Sequence, residues 1–358
     1  MNGSNMLNVL GFPDEDIERC KKQGGLLSVE LEFTRKCNLR CIYCYSSAGE
    51  SRDNELTLDE IKDVILQAKD LGARKIILLG GGEPLLYSGV FEIVDFIHSL
   101  GISQILFTNG VLIDKQAAER LYGRDVSVVI KHNSFDPGVQ DYLAGVRGAY
   151  ERIHKGLKNL LETGYPDRTV ALGIQTIICN QNKQEIPDMW RWARNNGIIP
   201  YFEMLTIQGR AKQHDELYLD VEEVKGIFDE LRSIDEKEFG INWKSHPTIA
   251  AFSCKRHYYS CLINSTGGVQ PCTGIDLEVG NIREEPLANI IKNSKVIKHL
   301  RNIKENIVGH CRDCEHVGEC YGCRGNAYQI TGSYLASDPT CWHQGCSLEK
   351  NNRTHCST

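Results

Sequence analysis

The sequence has 358 residues, 41 of them basic and 47 acidic, for a formal net charge of -6. That length suits one large or two ordinary domains, and the mildly acidic balance excludes the positive field of a nucleic-acid binder. No run of about 18 apolar residues occurs and the N-terminus lacks the basic-then-apolar pattern of an export signal, so the chain reads as cytoplasmic with no membrane partner.

Residues 1–27 form an N-terminal extension. From 28 to 210, short β-branched runs alternate with segments of helical periodicity, the pattern of βα units around a parallel sheet. Six strands are expected: SVELEFT (28–34), KIILLG (75–80), QILFTN (104–109), VSVVIK (126–131), VALGIQTII (170–178) and PYFEMLT (200–206). Thr57 and Glu60 make a capping box for the first intervening helix, and Gly72 closes it. Residues 211–245 are charged, and LYLDVEEVKGIFDELRSIDEKEF reads as an amphipathic helix bridging two domains. From 246 to 358 the chain is rich in Cys, Gly and Asn, so bound metal is expected to supplement its core. Within it LEVGNIREEPLANII reads as strand, turn and helix packed between cysteine groups.

The 15 cysteines, about 4% of the chain, fall below the density of a disulfide scaffold. They are clustered at 37, 41 and 44 and, nine of them, between 254 and 346. In a chain without an export signal, clustering points to metal. The first strand runs into TRKCNLRCIYCYSS, which puts Cys37, Cys41 and Cys44 at its C-terminal end, the functional face of a parallel α/β barrel. Three thiolates hold three irons of a 4Fe-4S cluster and leave the fourth iron open. A zinc knuckle, or three incidental thiols, is the alternative.

This C-x3-C-x2-C loop, with Tyr43 before its last cysteine, resembles the signature of the radical S-adenosylmethionine (SAM) superfamily. Gly80, Gly81, Gly82, Glu83 and Pro84, after the second strand, resemble that family's GGEP element, whose backbone meets the SAM amino group. Physically, glycines let a backbone approach closely and a glutamate accepts hydrogen bonds from an ammonium. The resemblance implies a partial (β/α)6 barrel of the TIM type, SAM bound to the open iron, and an oxidoreductase chemistry begun by a 5'-deoxyadenosyl radical. It also implies a reductant partner such as flavodoxin or ferredoxin. Asn109, Lys131, Asn133, Ser134 and Glu203, at other strand ends, are candidate SAM contacts, and Lys131 or Asn133 is alternatively a substrate contact.

The C-terminal cysteines resemble the SPASM extension, which holds two auxiliary 4Fe-4S clusters. The resemblance assigns Cys254, Cys261, Cys272 and Cys323 to the inner cluster and Cys311, Cys314, Cys320 and Cys341 to the outer one, making three clusters in all. The x2 gap before Cys323 departs from the usual x3. Cys346 is an alternative to Cys341, and a zinc site is an alternative for 311–323, although zinc ribbons usually separate their CxxC pairs by about 15 to 20 residues. Cys20, Cys179 and Cys356 read as lone thiols, and His310, His316 and His343 as bystanders.

Auxiliary clusters favour an oxidation or radical bond formation. Only about 27 residues precede the first strand, short for a leader-peptide domain, and IKHNSFDP replaces the SLDG-like sequence of peptide-modifying relatives; both favour a small polar metabolite. A peptide maturase, an epimerase using Cys346 or Cys356 as hydrogen donor, and a non-enzymatic iron-sulfur carrier are the alternatives. Thr273 stands where sulfatase-maturating enzymes carry aspartate, which disfavours that activity. The sequence names no base; Asp276 is a candidate by proximity to Cys272 alone.

Overall fold

A computed structural model describes residues 9–343, together with the backbone of 346–348 and 354–356. Helix α1 (Asp14–Gln23) leads into β1 (Ser28–Leu31), followed by α2 (Leu58–Asp70), β2 (Lys75–Leu78), α3 (Val90–Ser99), β3 (Ser103–Thr108), α4 (Lys115–Tyr122) and β4 (Val126–Lys131). After α5 (Pro137–Ala144) and α6 (Ala149–Thr163) come β5 (Leu172–Ile178), α7 (Ile186–Asn195) and β6 (Ile199–Met204). The strands lie side by side in chain order from β1 to β6, every neighbouring pair parallel. This is the singly wound sheet of the expected α/β partial barrel.

Both faces of the sheet carry apolar residues, as a parallel sheet under helices requires. The outer face, with Val29, Leu31, Ile76 and Leu78, packs on α2 and its neighbours in the largest core cluster. The inner face, with Ile77, Ile105, Phe107, Val129, Ile199 and Tyr201, closes around Leu10, Ile249 and Phe252.

Several boundaries differ from expectation. β1 ends at Leu31 and β2 at Leu78; beyond them the chain leaves the ladder through single contacts such as Thr34 N–H to the Gly80 carbonyl (3.0 Å). The helix expected from 217 begins at Val221 as α8 (Val221–Ile234) because Asp220 and Glu223 form a capping box there. Rather than spanning a gap, α8 is anchored on α7: the buried Asp235 carboxylate at its end accepts hydrogen bonds from Trp190 (2.7 Å) and Arg194 (2.6 and 2.9 Å).

The sheet does not stop at the barrel. β7 (Ser260–Ile263) runs parallel beside β1, and β8 (Gly268–Gln270) and β9 (Gly280–Asn281) add antiparallel. The segment after β9 packs on the barrel, not between the cysteine groups: Arg283 is paired with Glu60 at the start of α2, and Leu287 N–H, opening α9 (Leu287–Asn293), donates to Gln67 (2.7 Å). No described helix is long and apolar enough to cross a membrane.

Candidate active site

The residues from Thr34 to Ser47 turn over the C-terminal ends of the strands. Cys37, Cys41 and Cys44 line one cavity there with Tyr43, Gly81, Gly82, Glu83, Asn109, Lys131 and Glu203. Arg210, following β6, fixes the cysteine loop from outside by donating to the Cys41 (2.8 Å) and Ala48 (2.9 Å) carbonyls. The Ser46 hydroxyl donates to the Gly81 carbonyl and joins the loop to the glycine turn.

The glycines serve contact between the two loops. A Cβ on Gly82 would lie 2.1 Å from the Lys36 carbonyl oxygen, and Gly81 has φ +73° with a would-be Cβ 2.8 Å from Glu32. Only glycine permits both. Glu83 lines the cavity, and its buried carboxylate also accepts from Thr108 Oγ1 (2.7 Å), Asn109 N–H (2.8 Å) and Leu85 N–H (3.1 Å). It ties the turn to β3, and Pro84 opens the short 3-10 turn behind it.

Charge inside the cavity is paired. Lys131 Nζ lies 3.9 Å from Glu203 and 5.4 Å from the Tyr43 ring centroid. Burial raises the Glu203 carboxyl and lowers the Lys131 amine, each opposed by the other's charge. The Cys41 thiol is pushed up to about 12 by burial and then by Cys44, so metal must replace its proton for it to ionise.

Two candidates do not reach the cavity. Asn133 is fully buried; its amide donates to the Tyr43 hydroxyl (2.7 Å) and its oxygen accepts from Ile177 N–H (3.0 Å). Ser134, also fully buried, donates to Glu185 (2.6 Å). Asn133 thus positions Tyr43, and Ser134 organises the turn before α5. Asp276 is exposed, bonded to Gln329 (2.9 Å). Arg256, Tyr201, Gln175 and Thr273 also line the cavity. Arg256 went unread because a lone arginine near a cysteine has no spacing signature; its place two residues after Cys254 was the available signal.

The C-terminal thiols fall into groups. Cys272 is raised by burial, then by Cys323 and Cys254, and Cys323 by burial and in part by Cys254, which brings these three together. Cys261 is not with them. It sits opposite Val29 in β7, on the outer face of the sheet, and after burial its charged neighbours are Arg301 and Glu30. Cys341 has Cys311 and Cys320 as neighbours; Cys314 follows Cys311 and accepts from His316 N–H (3.4 Å). The side chains of Cys346 and Cys356 lie outside the described residues.

Residues 31–193 match the radical SAM superfamily, and residues 254–315 match the SPASM iron-sulfur cluster-binding domain. The AdoMet-dependent heme synthase of Methanosarcina barkeri is 31% identical over 340 residues, covering 87% of this chain and 94% of that protein. The chain belongs to the radical SAM superfamily.

Other radical SAM relatives include Fe-coproporphyrin III synthase of M. barkeri, 28% identical over 87% of this chain and 86% of the relative. Mycofactocin maturase MftC of Mycolicibacterium smegmatis is 27% identical over 87% and 81%. Streptococcus suis SuiB bound to S-adenosylmethionine shares the fold, with a TM-score of 0.71 at 19% identity over 92% of this chain and 81% of that one.

The cavity fits the radical SAM cofactors chemically: three thiols on one loop, a glycine backbone facing them, and a cation and carboxylate opposite. Among the described residues no three Cys, His, Asp or Glu side chains converge on a point that one metal ion would occupy. A 4Fe-4S cube differs from such an ion in spreading its thiolates over separate irons.

Proposed function

We propose that this radical SAM/SPASM enzyme is an oxidoreductase acting on a tetrapyrrole that carries carboxylate side chains. The match to heme synthase across 94% of that protein carries the reading. When bound, the cluster and SAM supply a 5'-deoxyadenosyl radical that abstracts hydrogen from an unactivated carbon. The chain's own residues position these groups and keep water out.

In this reading Cys37, Cys41 and Cys44 hold the first cluster. The Gly81–Gly82 backbone, Asn109 and the Lys131–Glu203 pair take the polar groups of SAM, and Tyr43, held by Asn133, closes the wall beside them. Cys254, Cys272 and Cys323 hold an inner auxiliary cluster, and Cys311, Cys314, Cys320 and Cys341 an outer one, three clusters in total, which accept or relay the substrate electron. A flavodoxin or ferredoxin supplies the reducing electron.

The test is anaerobic incubation of reconstituted enzyme with a strong reductant, SAM and Fe-coproporphyrin III. Porphyrin-stimulated 5'-deoxyadenosine and a changed porphyrin mass are expected; neither appearing overturns the substrate assignment. The similarity to mycofactocin maturase favours a second reading, peptide modification, which stimulation by a short peptide and not by porphyrin would establish.

A further inference from the structure

The cavity contains one cation whose counter-charge lies behind its wall. Lys131 is paired with Glu203, and both line the cavity. Arg256 also lines it, but Arg256 Nη1 donates to Glu30 Oε1 (2.6 Å), and Glu30, with a side chain only 2% exposed, is not part of the lining. The hydroxyl of Tyr201 lies 3.4 Å from Nη2. Glu30 and Tyr201 thus fix the guanidinium from behind and beside, with N–H groups left over from the five that arginine carries.

We infer that Arg256 anchors a carboxylate of the substrate in this cavity. A guanidinium offers a planar fork that matches a carboxylate with two parallel hydrogen bonds. Tyr201 precedes Glu203 by two residues on the same face of β6 and lies level with Lys131 across β5, so this anchor sits beside the Lys131–Glu203 pair. Arg256 also follows Cys254 by two residues. A substrate held here shares the cavity with the SAM-facing groups, and its anchor belongs to the segment that carries Cys254.

This anchor rests on the cavity being the site of SAM-dependent chemistry, and it names the group recognised in the proposed substrate. The test is equilibrium binding to reconstituted, SAM-loaded enzyme, with coproporphyrin III, its tetramethyl ester and radiolabelled succinate as probes. The variants are Arg256→Lys and the double change Glu30→Gln with Arg256→Gln, which removes both buried charges together; iron content and circular dichroism confirm folding. Coproporphyrin III is expected to bind the wild type and to weaken on the order of tenfold to a hundredfold in the double variant, with a partial loss in the lysine variant. The uncharged ester is expected to be indifferent to both changes.

Unchanged binding of the acid in the double variant overturns the anchor, as does a wild type that binds neither coproporphyrin III nor succinate. Equal loss of SAM binding also overturns it, by making Arg256 a SAM ligand. If succinate binds through Arg256 while coproporphyrin III does not bind, the carboxylate anchor stands and the tetrapyrrole reading falls.

Discussion

Cys261 lies directly across from Val29 in the parallel register of β7 and β1, so its thiol joins the apolar layer under the helices. Cys254, Cys272 and Cys323 gather elsewhere. Replacing Cys261 with alanine is therefore expected to leave iron and sulfide per chain unchanged after anaerobic reconstitution. Cys272→Ala should lose about four irons, one cluster's worth. Equal losses in the two variants would return Cys261 to the ligand set.

Gly82 presses on the cysteine loop so closely that an added Cβ would meet the Lys36 carbonyl at 2.1 Å. Gly82→Ala must displace one loop against the other. Because small misplacements of reacting groups are costly, 5'-deoxyadenosine formation should fall on the order of a hundredfold, with the C-terminal irons retained. Wild-type rates in this variant would refute the close-approach role.

Asp235 joins α8 to the barrel helix α7 through Trp190 and Arg194 and also accepts from Trp243 beyond α8, all within 2.9 Å. It is fully buried. Asp235→Ala leaves the Arg194 charge buried without its partner, at a cost of about 3 to 5 kcal/mol, which chemical denaturation of the variant would measure. A change below about 1 kcal/mol would show that the site relaxes around the gap.

The Glu60 carboxyl is held down at about 2 by hydrogen bonds from Arg283 and, secondarily, from Thr57. Its folded value lies below the unfolded one, so its contribution to stability is complete above about pH 4.5 and fades as the pH falls towards 2. Glu60→Gln should cost a few tenths to about 1 kcal/mol at neutral pH, as expected of a part-exposed pair, and flatten the acid limb of the stability profile. Identical acid limbs in variant and wild type would contradict this linkage.

Strand order and the placement of Cys37, Cys41, Cys44 and Gly81–Pro84 were legible in the sequence because each depends on local periodicity and spacing. The roles of Asn133, Ser134 and Glu83 were not. All three are polar residues at strand ends, where sequence does not separate a group facing a ligand from one satisfying buried backbone; Asn133 bonds Tyr43, Ser134 bonds Glu185 and Glu83 bonds β3. The face taken by Cys261 depends on how β7 registers against β1 across more than two hundred residues of chain, and a one-residue shift reverses it. Arg256 escaped notice for the same reason, since its partners Glu30 and Tyr201 come from the distant strands β1 and β6.

Cys37, Cys41 and Cys44 are expected to support SAM cleavage in this cavity. The most direct measurement is 5'-deoxyadenosine formed per chain by reduced, reconstituted enzyme, beside the triple Cys37, Cys41 and Cys44→Ala variant, with iron counted in both. About twelve irons and SAM cleavage are expected in the wild type, and about eight irons without cleavage in the variant. A fully iron-loaded wild type that leaves SAM intact, or a variant that cleaves it equally well, would remove that role from the three cysteines.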